Sequence, residues 1–143
     1  MRVMVIVKAT KESEAENTPL EMEGAAEMFE AMGKYNEELA KAGILLAAEG
    51  LAPTSKGARV SFSGDERTVT DGPFAETKEV IAGFTIIQVK ALGEAIELVK
   101  RTPNVFPNGK AVVEIRKLMD VEDFGEMMGD AFTPNEEIAK VKY

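Results

Sequence analysis

Gly83-Phe84-Thr85-Ile86-Ile87-Gln88-Val89 sets aromatic and β-branched side chains in most of its positions, the residue types that a pleated, well-packed surface favours. The run predicts a β-strand, and its apolar character puts that strand at the centre of a sheet. On its C-terminal side, Leu92, Ala95, Ile96 and Val99 recur at helical spacing. Lys100 and Arg101 suit the negative end of the helix dipole, and Pro103 follows as a stop. Val112 to Leu118 then reads as a last strand. On the N-terminal side, Arg67 to Thr70 and Arg59 to Phe62 read as two strands of a hairpin that turns at Ser63 to Glu66, with Arg59 to Phe62 alternating as a half-buried strand does. Pro53 to Gly57 is turn-forming, and Ile44 to Leu51 is apolar and extended.

Nearer the start, Val3 to Val7 reads as a first, buried strand and Ala9 to Asn17 as a polar loop. Thr18, Pro19 and Glu21 fit a capping box with proline at its first helical position. Met22, Ala25, Phe29, Met32, Tyr35, Leu39 and Ala42 then form one apolar stripe, with Gly43 ending the helix. This stripe is expected to be core.

The resulting order β, α, β, β, β, β, α, β predicts an α+β fold: a ferredoxin-like sandwich with an extra β-hairpin, two helices on one face of a mainly antiparallel sheet. Phe84, Ile86, Val113 and Ile115 are too apolar for a solvated sheet face. A second subunit laid sheet to sheet is the expected cover, making the protein a homodimer. Residues 1-118 are expected to form the domain. Residues 119-143 differ in composition, with Phe124, Met127, Met128 and Phe132 among acids and glycines. They read as a C-terminal extension, a dimer arm with a short helix begun by Thr133, Pro134 and Glu136.

The chain has 143 residues, 45% of them hydrophobic, enough for one core and short for two. With no cysteine there is neither a disulfide framework nor a thiolate metal site, and a cytoplasmic location fits. Val3 to Val7 is too short for a signal segment or a membrane span. A formal net charge of -8 opposes attraction to nucleic acid or anionic membranes. The absence of histidine removes the commonest general base and metal ligand. Chemistry is left to carboxylates, lysine, tyrosine, hydroxyls, backbone or a cofactor.

Asp71-Gly72-Pro73-Phe74-Ala75-Glu76-Thr77-Lys78-Glu79 joins two predicted strands but is too long for a two-residue turn. Gly72 permits unusual backbone angles, Pro73 fixes the next, and Phe74 offers an apolar anchor. A rigid loop presenting charged groups is a candidate site. These nine residues resemble the signature of the DGPF family, also called YCII-related proteins. So do Asn36-Glu37-Glu38-Leu39 with Ala42-Gly43, Glu49-Gly50-Leu51 with Pro53, Glu94-Ala95-Ile96, and Val113-Glu114-Ile115-Arg116. The resemblance covers roughly Met1 to Leu118. It implies a dimeric α/β-barrel of ferredoxin-like subunits, related to muconolactone isomerases and small monooxygenases, with some members accompanying sigma factors. The YCII branch is associated with a histidine and aspartate pair. This chain has no histidine, so that mechanism does not transfer. Lys117 also stands where family members often have proline.

The expected function is homodimeric small-molecule handling, of isomerase, lyase or cofactor-free oxygenase type, with a pocket near the 71–79 loop. Asp71 is the candidate acid or base and Lys78 its catalytic companion. Phe74, Glu76, Glu79, Arg116 and Tyr35 are the candidate substrate-binding residues: Lys78 and Arg116 to neutralise an anion, Glu76 and Glu79 to orient Lys78, Phe74 to shape an apolar wall. Each has a structural counterpart. Asp71 before glycine suits a turn cap, Tyr35 suits the core, and Arg116 suits an ion pair with Glu49 or Glu114. The acids Asp71, Glu76 and Glu79 lack EF-hand spacing, so no metal is expected, and no cofactor. The alternative function is a non-catalytic module, sensing a ligand or binding a protein in transcriptional control.

Overall fold

A computed structural model describes residues 1–15, 23–104, 109–125 and 136–141. Its elements follow the expected order: β1 (Arg2–Lys8), α1 (Ala25–Lys41), β2 (Leu45–Gly50), β3 (Ala58–Ser63), β4 (Glu66–Asp71), β5 (Ile81–Gln88), α2 (Leu92–Lys100), β6 (Val113–Lys117) and a short α3 (Glu136–Ala139). Four strands form one sheet in the order β2-β5-β1-β6, antiparallel throughout. This is the ferredoxin-like arrangement. The strand quoted first, β5, is indeed central, flanked by β1 and β2. The hairpin β3-β4 makes a separate two-stranded sheet.

Register decides which residues face the helices, because directly opposed residues share a face and successive ones alternate. Val3 pairs with Ile87, Val5 with Thr85 and Ile115, and Val7 with Val113. This face packs under both helices: Val3, Ile87 and Val89 cluster with Leu39 of α1 and with Ala95 and Leu98 of α2, and Val5, Tyr35, Leu45 and Ile115 pack around them. The opposite face carries Met4 and Ile6 against Ile86 and Phe84. Val113 and Ile115 therefore lie on the helix side, contrary to the sequence reading. Glu114 and Arg116 face away instead, opposite Ile6 and Met4.

Helix α1 closes as its sequence predicts. Gly43 has φ 72, its N–H donates to Ala40 O at 3.0 Å, and Ile44 N–H donates to Leu39 O at 2.9 Å. The left-handed residue turns the last carbonyls onto backbone donors. At the other end the expected capping residues Thr18, Pro19 and Glu21 lie outside the described residues, as does Met22. The described helix begins after Gly24, also left-handed at φ 81. Ala25 and Leu39 are buried and Met32 and Tyr35 half-buried, but Phe29 is exposed. In α2 the buried positions are Ala95 and Leu98, while Leu92 and Ile96 remain exposed. The turn at 53–57 is a 3₁₀ turn, Thr54–Lys56.

After β6, a 3₁₀ turn Val121–Phe124 is begun by a capping box between Asp120 and Asp123. Asp120 pairs with Arg2 at 3.0 Å and Lys117 with Asp123 at 2.6 Å, tying this segment to both β1 and β6. Of the tail residues singled out by composition, Met127, Met128, Phe132, Thr133 and Pro134 lie outside the described residues. Among the described residues, no helix is long and apolar enough to cross a membrane.

Candidate functional site

The loop after β4 is held by backbone contacts that its sequence makes possible. The Gly72–Pro73 peptide is cis. Gly72 N–H donates to Gly57 O at 3.0 Å, and a Cβ on Gly72 would lie 1.6 Å from Thr54 O. No side chain fits there, so the glycine answers to close approach between two loops. One residue later, Phe74 N–H donates to Thr54 Oγ1 at 3.0 Å. The Thr54 hydroxyl in turn donates to the Glu14 carboxylate, which also accepts the Thr54 N–H. Glu14, Thr54 and Phe74 thus form a relay that fixes the loop on the 3₁₀ turn. Its last residues, Thr77–Glu79, form a second 3₁₀ turn leading into β5.

Fixing Phe74 fixes what stacks on it. Arg59 of β3 lies with its guanidinium carbon 3.8 Å from the centroid of the Phe74 ring. The positive, planar group sits over the electron-rich ring face, a favourable arrangement worth about 0.5–1 kcal/mol at an exposed site. Beside this pair opens a groove of about 400 Å³ walled by Leu51, Pro53, Thr54, Lys56, Arg59, Phe74, Glu79, Val80 and Ile81. Its chemistry is mixed: apolar walls, two cations and one carboxylate.

The expected site residues do not all converge there. Phe74 and Glu79 do. Asp71 ends β4, paired with Ala58, so it shares a hairpin face with Val60, Val69 and Phe62, opposite the face that carries Arg59. Lys78 lines a different groove, with Lys8 and Lys110, and makes no ion pair with Glu76 or Glu79. Glu76 and Arg116 are exposed, the latter on the sheet face turned from the helices, without an ion pair to Glu49 or Glu114. Tyr35 borders a small space of about 50 Å³ between the helices and the sheet, and its hydroxyl donates to Leu98 O at 2.5 Å. Among the described residues, no group of three or more histidine, cysteine, aspartate or glutamate side chains is placed to hold a metal.

Arg59, Thr54 and Glu14 carry most of the loop's surroundings. In the sequence Arg59 reads only as the first residue of a strand, and neither Thr54 nor Glu14 carries a signal. The hairpin also differs from the half-buried strand that alternation suggests. Every residue of β3 and β4 is exposed in the single chain, including Val60 at 52%, Phe62 at 71% and Val69 at 65%. Arg67 stacks over Phe62 at 4.3 Å from the ring centroid and donates to the carbonyls of Gly64 and Glu66, bracing the turn.

A four-stranded antiparallel sheet in β2-β5-β1-β6 order, two helices on one face and a hairpin inserted before β5 define a ferredoxin-like α+β protein. The family model described as the YCII-related domain matches residues 1–121, and the chain belongs to this family. It is also 40% identical over 68 residues to an uncharacterized protein of Rhizobium meliloti (strain 1021). That match spans 48% of this chain and 55% of the Rhizobium protein, about half the length of each.

Proposed function

We propose that this protein works as a homodimer that binds a small carboxylate-bearing molecule in the groove beside Phe74. The carrying observation is the Arg59–Phe74 stack at 3.8 Å on the wall of a 400 Å³ groove. An arginine whose orientation is set by a ring face presents its planar donors ready-made to a carboxylate, at little further entropic cost. Lys56 adds a second positive charge, Leu51, Val80 and Ile81 take an apolar body, and Glu79 selects for a donor group on it. Dimerisation is favoured by the sheet face turned from the core under α1 and α2, where the apolar side chains of Met4, Ile6 and Phe84 are only half-buried in the single chain.

Native mass spectrometry of the freshly purified chain tests both parts. A dimer retaining a displaceable small acid, lost in Arg59→Ala, is expected. A monomer at micromolar concentration, or a retained acid indifferent to Arg59→Ala, overturns the reading.

A second reading, a non-catalytic module that engages a protein partner, is favoured by the hairpin. Its apolar face, Val60, Phe62 and Val69, is exposed in the single chain, and contiguous exposed apolar surface marks interaction sites. Phe62→Ser abolishing association with a second protein, with the dimer intact, would select this reading over the first.

A further inference from the structure

Alternation along β3 and β4 gives the hairpin two unlike faces. In register, Ala58 opposes Asp71, Val60 opposes Val69 and Phe62 opposes Arg67, and these pairs share one face. The other face carries Ser61, Ser63, Thr68 and Thr70 with Arg59 and Glu66. An apolar face backed by a hydroxyl-bearing one is the pattern of a sheet layer buried on one side. Yet the single chain leaves every residue of both strands exposed. A two-stranded ribbon by itself is marginally stable in water and gains from a further layer against its apolar face.

The order of residues on that face points to the layer that fits. From root to tip its rows are small and negative (Ala58, Asp71), then β-branched (Val60, Val69), then large and positive (Phe62, Arg67). Arg67 is held at the tip: its guanidinium carbon lies 4.3 Å from the Phe62 ring centroid, and its Nη1 donates to the carbonyls of Gly64 and Glu66. The remaining donors of the fork can take a carboxylate. A second copy turned about a two-fold axis that crosses the strands at the valine row lays root on tip and each strand on its own counterpart. Asp71 of each copy then meets Arg67 of the other, Ala58 meets Phe62, and the valine rows meet each other. Opposite charges face, the smallest side chain faces the largest, and both matches occur twice because a two-fold interface is isologous. Laying root on root would put like charges in the same row.

We propose that the apolar face of the hairpin is a self-association surface, packing root to tip on the same face of a second copy. A foreign protein would need only the apolar row, whereas the ordered charge from root to tip is what a second copy of the ribbon requires. The surface is separate from the sheet face bearing Met4, Ile6 and Phe84 and from the groove beside Phe74, and depends on neither. Six residues a side is far below the roughly 20–30 of a standard interface, so the contact is reversible and adds an association step at high protein concentration.

Charge exchange tests it, read by sedimentation of the full chain across a range of concentrations. Asp71→Arg puts arginine at both ends of the face and Arg67→Asp puts aspartate at both. Each variant alone should self-associate at least about tenfold more weakly than wild type, because like charges then meet at two places. An equimolar mixture of the two should recover wild-type association, since every arginine in it meets an aspartate, a recovery that misfolded hairpins would not give. The chain has no cysteine, so Val69→Cys carries a single thiol. A short bismaleimide should join two copies through it, and should not do so through Thr70→Cys on the other face. Absence of a sheet-face dimer would lower the copy number alike in wild type and variants, so the two contacts are read apart. Association indifferent to both reversals, a mixture no tighter than its components, or equal crosslinking at positions 69 and 70 would overturn the proposal and leave the face to a different protein.

Discussion

Gly72 approaches the carbonyl of Thr54 so closely that an added Cβ would stand 1.6 Å from its oxygen. Backbone must therefore move for any side chain to be accepted, and the loop that carries Phe74 moves with it. Gly72→Ala is expected to lower stability by about 1–3 kcal/mol, the range for forced overpacking. Gly57→Ala is the control, since a Cβ there meets only Thr54 O at 3.6 Å, an ordinary contact, at an extended φ of -123. Urea midpoints measure the two, and equal effects would refute the close-approach argument.

Thr54 Oγ1 both accepts from Phe74 N and donates to Glu14. Thr54→Val removes both bonds at nearly constant volume and leaves the half-buried Glu14 carboxylate only the backbone N–H of residue 54. A loss of about 1–3 kcal/mol is expected, at the charged end of the hydrogen-bond range. Thr54→Ser keeps the hydroxyl and should recover most of it. Chemical denaturation compares the three, and a serine variant as weak as valine would show that the hydroxyl alone does not hold the loop.

Tyr35 joins the two helices through Leu98 O. Tyr35→Phe should cost about 1 kcal/mol, the net worth of one hydrogen bond, because Leu98 O keeps a second donor in Arg101 N–H. Ligand binding at the Phe74 groove should be untouched, as Tyr35 does not line it. Thermal melts read the first effect and titration the second. A change in affinity without a change in melting would restore Tyr35 to the site.

The turn after β6 should respond to pH at both extremes. The Asp120 backbone N–H and the Lys117 ammonium hold the Asp123 carboxyl below its ordinary value of 3.8. Its contribution is present above that value and is lost as pH falls through the lowered one. The hydrogen bond to Asp123, opposed by partial desolvation, raises Lys117 above 10.5, so its share is present below 10.5 and is lost as pH rises through the raised value. Amide protection factors of residues 121–124, taken against the intrinsic exchange rate at each pH, should fall in acid in the wild type. In Asp123→Asn that acid-specific loss of protection should disappear, and its persistence would assign the turn's stability elsewhere.

The order of elements along the chain and both helices were legible because their signals are local: β-branched runs, helical spacing, a glycine after α1 and a proline after α2. The face of β6 was misread because its five residues, Val-Glu-Ile-Arg-Lys, alternate clearly but do not say which side is which. Only the register with β1 puts Val113 and Ile115 under the helices. The loop reads in the sequence as one rigid candidate site, whereas the structure places its candidate residues on separate surfaces. Asp71 and Lys78 are seven positions apart in sequence, and the turn at Gly72 sends them to different surfaces. Glu14 left no trace at all, since its bond to Thr54 spans 40 residues and no pattern in the chain links them.

The hairpin's two strands bond to each other and to no strand of the main sheet. Matched insertions or deletions of residue pairs toward its tip would lengthen or shorten it without disturbing any register in the core. Its reach is thus free to drift while the Gly57–Gly72 anchor at its root stays put. A lineage can reshape what the hairpin touches without redesigning the fold that carries it.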